Sequence, residues 1–189
     1  LDNYEELLRF IKLVSCEKGI GISQRNITVS TCGLVDKIRM LADEKLQITL
    51  AISLHAPNDE KRQELMPIAQ RYSMDEVLDA CRNYFQETGR RITFEYSLVA
   101  GVNDTVEEAE KLSALVKNLN CHVNLIPVNP IKERDFVQTG KKAVERFKRV
   151  LEKNRINVTI RREMGRDING ACGQLRNDAM REEREESGE

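Results

Sequence analysis

The sequence is poor in the residues that most metal, disulfide and nucleotide sites require. It holds two histidines, His55 and His122, too few for a metallohydrolase built on several imidazole ligands. Its five cysteines, Cys16, Cys32, Cys81, Cys121 and Cys172, are odd in number, and no two lie close together. That spacing excludes a disulfide framework and leaves no pair that reads as half of a zinc or iron–sulfur site. Neither GxxxxGK[ST] nor GxGxxG occurs, so the chain has no glycine-rich phosphate loop of those types. No window approaches the ~18 apolar residues of a membrane span, and the N-terminus lacks the basic-then-apolar pattern of a signal peptide. A cytoplasmic monomer with no membrane partner is the expectation.

What is present is a globular composition: 189 residues, 40% hydrophobic and 32% charged, enough for one sizeable core. One domain is expected over residues 1–180, followed by a polar tail, REEREESGE, at 181–189. The net charge of -1 conceals a basic stretch: between Lys132 and Arg166 there are twelve Lys or Arg against five Asp or Glu. Such a stretch suits phosphate tracking, and equally the solvated face of a helix carrying Lys141, Lys142, Arg146, Lys148, Arg149 and Lys153. The chain opens at Leu1 directly into a helical pattern of Tyr4, Leu7, Leu8, Ile11 and Val14, and a preceding segment is expected.

Helical and strand patterns then alternate to the end, the signature of a parallel α/β domain. Capping boxes at Ser73 with Glu76 and at Thr105 with Glu108 mark two helix starts. The second opens an apolar stripe through Val106, Ala109, Leu112, Val116 and Leu119. The β-like runs are NITVST, QITLAISL, RITFEYSLV, CHVNLIPV and INVTIR. Successive strand residues face opposite sides, so Ile48, Leu50, Ile52 and Leu54 share one face and Gln47, Thr49, Ala51, Ser53 and His55 the other. Ile92, Phe94, Tyr96 and Leu98 oppose Thr93, Glu95 and Ser97 in the same way. A parallel sheet covered on both sides reads as continuous apolar runs. A polar face instead predicts a curved sheet or partial barrel with helices outside, and five strands are too few for the eight-stranded closed form.

Ligands of such sheets lie at the strands' carboxyl ends, which makes Ser30, Thr31, Ser53, His55, Ser97 and Asn129 the candidates. Each has a plainer reading as a turn or cap residue; His55, for example, precedes Asn58 and Asp59 at a helix start. Cys172 lies between Ala171 and Gly173, with Gly170 close by, so its backbone is unshielded, and Arg161, Arg162 and Arg166 nearby would favour its thiolate.

Taken in order, VSTCGLVDKI, LAISLHAPNDEKRQELMPI, FEYSLVAGVND, VNLIPVNP and GRDINGACGQL resemble the signatures of the radical S-adenosylmethionine RNA methyltransferases, the RlmN and Cfr family, along nearly the whole chain. The resemblance implies a partial (βα) barrel of the radical SAM type. It makes Cys172 the methyl carrier and places Ser30, Ser53, Leu54, His55 and Asn129 against S-adenosylmethionine. It implies a first cofactor molecule that methylates Cys172 and a second, at a 4Fe-4S cluster fed by an electron donor, whose radical activates that methyl group for addition to adenine. The implied substrates are 23S rRNA, methylated at adenine C2, and tRNA; the Cfr branch would methylate C8 instead. A non-catalytic RNA-binding module is the reading from a different class. The family's CxxxCxxC loop and GEP-type motif are absent, so the chain is expected to be the C-terminal portion of the barrel, truncated at its N-terminal side and inactive alone.

Overall fold

Five short strands form one parallel sheet in the order in which they occur along the chain. The computed structural model describes residues 1–128 and 137–161; Asn129, Cys172, the boundary expected at residue 180 and the tail lie outside them. The elements run α1 (Tyr4–Ser15), β1 (Thr28–Thr31), α2 (Val35–Asp43), β2 (Thr49–Ser53), α3 (Asp59–Leu65), α4 (Met74–Thr88), β3 (Ile92–Leu98), α5 (Val106–Val116), β4 (Cys121–Pro127), α6 (Lys141–Lys153) and β5 (Asn157–Ile160). Every strand pairs in parallel with its sequence neighbour.

That order has a geometric consequence. Parallel neighbours need a crossover, and crossovers are right-handed in about 98% of cases. A sheet that always steps the same way therefore stacks its helices on one side and, among the described residues, leaves the other uncovered. Burial agrees. Ile92, Phe94, Tyr96 and Leu98 of β3 are at most 1% exposed, and Leu50, Ile52 and Leu54 of the second strand region are sealed with them. The alternate residues Thr93, Glu95 and Ser97 remain partly open. Helices α2, α4, α5 and α6 supply the opposing layer through Ile38, Leu41, Val77, Leu78, Tyr84, Leu112, Val144, Phe147 and Leu151. The Tyr96 ring meets that of Phe147 with centroids 5.2 Å apart, which joins β3 to α6.

Helix starts follow the expected chemistry with one exception. Ser73 and Glu76 form the full reciprocal capping box. Thr105 accepts from the Glu108 N–H at 3.2 Å, but the buried Glu108 carboxylate turns away to Lys61 Nζ at 2.9 Å, because a buried charge gains more from an opposite charge than from a backbone amide. The stripe on α5 also begins later than expected. Val106 is 44% exposed, whereas Ala109, Leu112 and Val116 are buried. Strand β1 begins at Thr28 because a 3₁₀ turn occupies Gln24–Asn26.

Candidate active site

The bare face is a grid whose rungs are fixed by strand register. One rung reads Ser30, Ala51, Thr93, His122 and Asn157; the next, nearer the carboxyl ends, reads Ser53, Glu95, Asn124 and Thr159. Ser30 is exposed on the edge strand, and Ser53 is half-buried. Ala51 is sealed, so its small side chain floors the space between Ser30 and Thr93. His122 Nε2 lies 2.9 Å from Thr159 Oγ1, which in turn donates to Asn124 Oδ1 at 3.2 Å. Burial, aided by the charge of Arg91, lowers the His122 pKa, so this histidine is a neutral hydrogen-bonding group. The histidine, the hydroxyls and the amide make the grid largely uncharged.

His55 sits just past the end of β2 with φ of 61°, in the left-handed region that non-glycine residues enter rarely. Three contacts hold it there. Its N–H shares the Glu95 carbonyl with that of Leu54. Its own carbonyl accepts from Asn103 Nδ2 at 2.8 Å. Its Nδ1 accepts from the Ser97 N–H at 3.1 Å. An accepting Nδ1 carries no proton, so Nε2 carries it and is the ring's donor. Burial and, secondarily, the Arg62 charge push the His55 pKa down to about 4, which keeps the ring neutral. His55 does not cap α3; Asn58 does, accepting from the Lys61 N–H at 2.9 Å. The Leu54 side chain is fully buried on the helix side, so this residue can meet a ligand only through its main chain.

Two residues not singled out by sequence reasoning shape the carboxyl edge. Asn103 is fully buried; its amide also donates to the Ser97 carbonyl at 2.7 Å, and its Oδ1 accepts from the Val99 N–H at 2.8 Å. Arg62 is also fully buried. Its Nη2 donates to the Cys32 carbonyl at 2.8 Å and its Nη1 to that of Tyr72 at 3.3 Å, anchoring the turn that follows Ser30 and Thr31. Thr31 itself is buried and accepts from the Gly33 N–H at 3.3 Å, so it serves the turn rather than the open face.

Two of the described thiols, Cys81 and Cys121, are buried and poorly nucleophilic. Burial pushes Cys81 up to about 12 and Cys121 up to about 11, and no cluster of His, Cys, Asp and Glu suited to a metal occurs among the described residues. The basic residues Lys141, Lys142, Arg146, Arg149 and Lys153 are exposed on α6, a helix packed against α5, β4 and β5 on the covered side. Their charge faces away from the grid. No described helix is long and apolar enough to cross a membrane.

Comparison with known proteins identifies this arrangement. A protein of Lachnospira eligens described as "Probable dual-specificity RNA methyltransferase RlmN" is 66% identical over 188 residues, all of this chain and 54% of the relative. The chain belongs to the RlmN family of radical S-adenosylmethionine methyltransferases. A relative of the same description from Lysinibacillus sphaericus is 57% identical over 96% of the chain and 48% of its own length. The chain thus spans about half the length of the curated relatives it matches. The crystal structure of a radical SAM methyltransferase from Sphaerobacter thermophilus superposes with a TM-score of 0.88 at 47% identity, covering 92% of this chain and 51% of that one. A domain of the pyruvate-formate lyase-activating enzyme from Bacteroides vulgatus, 16% identical with a TM-score of 0.61, shares the fold. No protein-family model matches the chain. The parallel α/β sheet expected from the alternating strand and helix patterns is the fold observed, and its match to a solved radical SAM methyltransferase agrees with the fold type that the motif resemblance implied.

Proposed function

We propose that the intact protein containing this chain methylates adenine C2 in 23S rRNA and in tRNA, with S-adenosylmethionine bound across the carboxyl edge of the open face. The observation that carries the reading is the 66% identity to a dual-specificity RNA methyltransferase over the entire chain. The relatives' description also favours this reading over C8 methylation, and it is the description of a methyltransferase rather than of a module that merely binds RNA.

The donor set fits the cofactor. An adenosyl group with a ribose and an amino acid tail needs hydroxyl, amide and backbone partners, and Ser30, Ser53, the Leu54 main chain and His55 offer them along two adjacent strands, with Asn129 as a further contact. Neutral His55 would donate from Nε2 without repelling a cationic ligand. The cofactor supplies the methyl group and, with a 4Fe-4S cluster whose ligands and electron donor lie outside this chain, the radical that an unreactive adenine carbon demands. Cys172 would accept the methyl group on sulfur, since a thiolate is a far better nucleophile near neutral pH than any hydroxyl on the grid.

The test uses intact protein carrying its cluster, a reductant, cofactor labelled on the methyl group and 23S rRNA fragments or tRNA. Mass spectrometry of the digested RNA should find labelled 2-methyladenosine from both substrates, and Cys172→Ala should lose it while still binding cofactor. Label at C8, or methylation by Cys172→Ala, would overturn the assignment.

A further inference from the structure

The grid holds one carboxylate, Glu95, and no described residue pairs with it. Glu95 occupies the middle of β3, the central strand, with Ser53 beside it on β2 and Asn124 beside it on β4. Alternation places its side chain on the open face, where it is partly exposed. Elsewhere among the described residues, several acidic side chains of the helices find cations: Glu108 with Lys61 and Lys111, Asp79 with Arg39, Asp36 with Arg71. Among the described residues, Glu95 makes no side-chain hydrogen bond or ion pair. Its flanking side chains are a hydroxyl and an amide, and its own carbonyl receives the Leu54 and His55 N–H groups. The carboxylate therefore lies on the same face as Ser53 and next in register to it, beside the segment assigned to the cofactor.

Folding has little use for a charge at that position. A hydroxyl or amide, as on every neighbouring strand of the rung, would fill it without the cost of partly desolvating a carboxylate. A ligand with positive charge supplies the missing half. We propose that Glu95 is the counter-charge of the site, set against the cationic part of the bound cofactor, and that it makes the site prefer the sulfonium cofactor to its neutral thioether product. This rests on the cofactor assignment above. S-adenosylmethionine carries a sulfonium, an ammonium and a carboxylate and is a net cation; S-adenosylhomocysteine lacks the sulfonium and is net neutral. Both share the adenosine and the amino acid tail, so hydrogen bonding to hydroxyls would treat them alike, whereas a nearby carboxylate distinguishes them by charge.

The experiment is equilibrium binding of both molecules to intact, cluster-loaded protein, wild type against Glu95→Gln, which keeps the shape and removes the charge. Cluster content and circular dichroism should be unchanged, because no described residue hydrogen-bonds or ion-pairs with the carboxylate. The dissociation constant for S-adenosylmethionine should rise by about tenfold or more, that for S-adenosylhomocysteine should change little, and the ratio of the two should collapse. Equal weakening of both would assign Glu95 to groups common to the two molecules and overturn the proposal, as would no change in either. Failure of wild type to bind either molecule would remove the cofactor assignment and this proposal with it; retained wild-type preference together with an unaltered Glu95→Gln ratio would remove this proposal alone.

Discussion

The side-chain amide of Asn103 donates at once to the carbonyls of His55 and Ser97, at 2.8 and 2.7 Å. It ties the end of β2 to that of β3 and holds His55 in its left-handed conformation. Asn103→Asp is nearly isosteric but turns an oxygen toward two carbonyl oxygens. It should cost about 2–4 kcal/mol in urea denaturation, more than ordinary surface changes, and weaken cofactor binding through His55. Wild-type stability and binding in that variant would deny Asn103 its clamping role.

Gly33 has φ of 98°, and a Cβ there would lie 2.9 Å from Arg62 Nη2 and 3.2 Å from Val77 Cγ2. Gly33→Ala should therefore destabilise the protein by about 1–3 kcal/mol. Part of that loss depends on Arg62. In a double-mutant cycle with Arg62→Met the two effects should be non-additive by at least about 0.5 kcal/mol. Strict additivity would mean that the turn does not rest on the guanidinium.

His55 gives a pH signature. Its folded pKa of about 4 lies below the ordinary value near 6.5, so the unfolded chain binds the extra proton across that interval. Its contribution to stability is complete above about pH 6.5 and is lost as pH falls toward 4, with a slope of at most about 1.4 kcal/mol per unit. Carboxylates titrate in the same range, so the measurement is the difference between wild type and His55→Asn, a residue that tolerates positive φ. Parallel stability curves from pH 4 to 6.5 would contradict the burial of the ring.

Thiol labelling should sort the described cysteines by environment. Exposed Cys16 should react with iodoacetamide in the native protein at pH 8, while buried Cys81 and Cys121 should react only once denaturant opens the core, as mapped by peptide mass spectrometry. Native labelling of Cys81 would show that the α4 packing is looser than described.

Much of the fold was legible because strand alternation is a local property. Ile52 and Leu54 against Ser53 and His55 could be assigned to opposite faces from adjacent letters alone. What escaped depends on partners distant in the chain. Arg62 reads as a surface residue of a charged helix until the carbonyls of Cys32 and Tyr72 come to meet it, and Glu108 reads as half of a capping box until Lys61 arrives from α3. Asn103 looks like one more turn residue in GVND. Glu95 was visible as a polar strand position, but its neighbours Ser53 and Asn124 are set by register, which a single strand cannot reveal.

The sequential strand order also makes the open face a ruler. Adjacent strands lie about 4.8 Å apart, so Ser30 and Thr159, on the two outer strands, are separated by about 19 Å across the sheet. A molecule of the size of S-adenosylmethionine can reach several consecutive strands but cannot bridge the sheet from one edge to the other. Substitutions at Ser53 and Glu95 should thus be felt by the same bound molecule and couple strongly, whereas changes at Ser30 and Thr159 should combine as independent events. Position along the gene becomes position across the site, and a shift in what is bound can be localised by which stretch of sequence has changed.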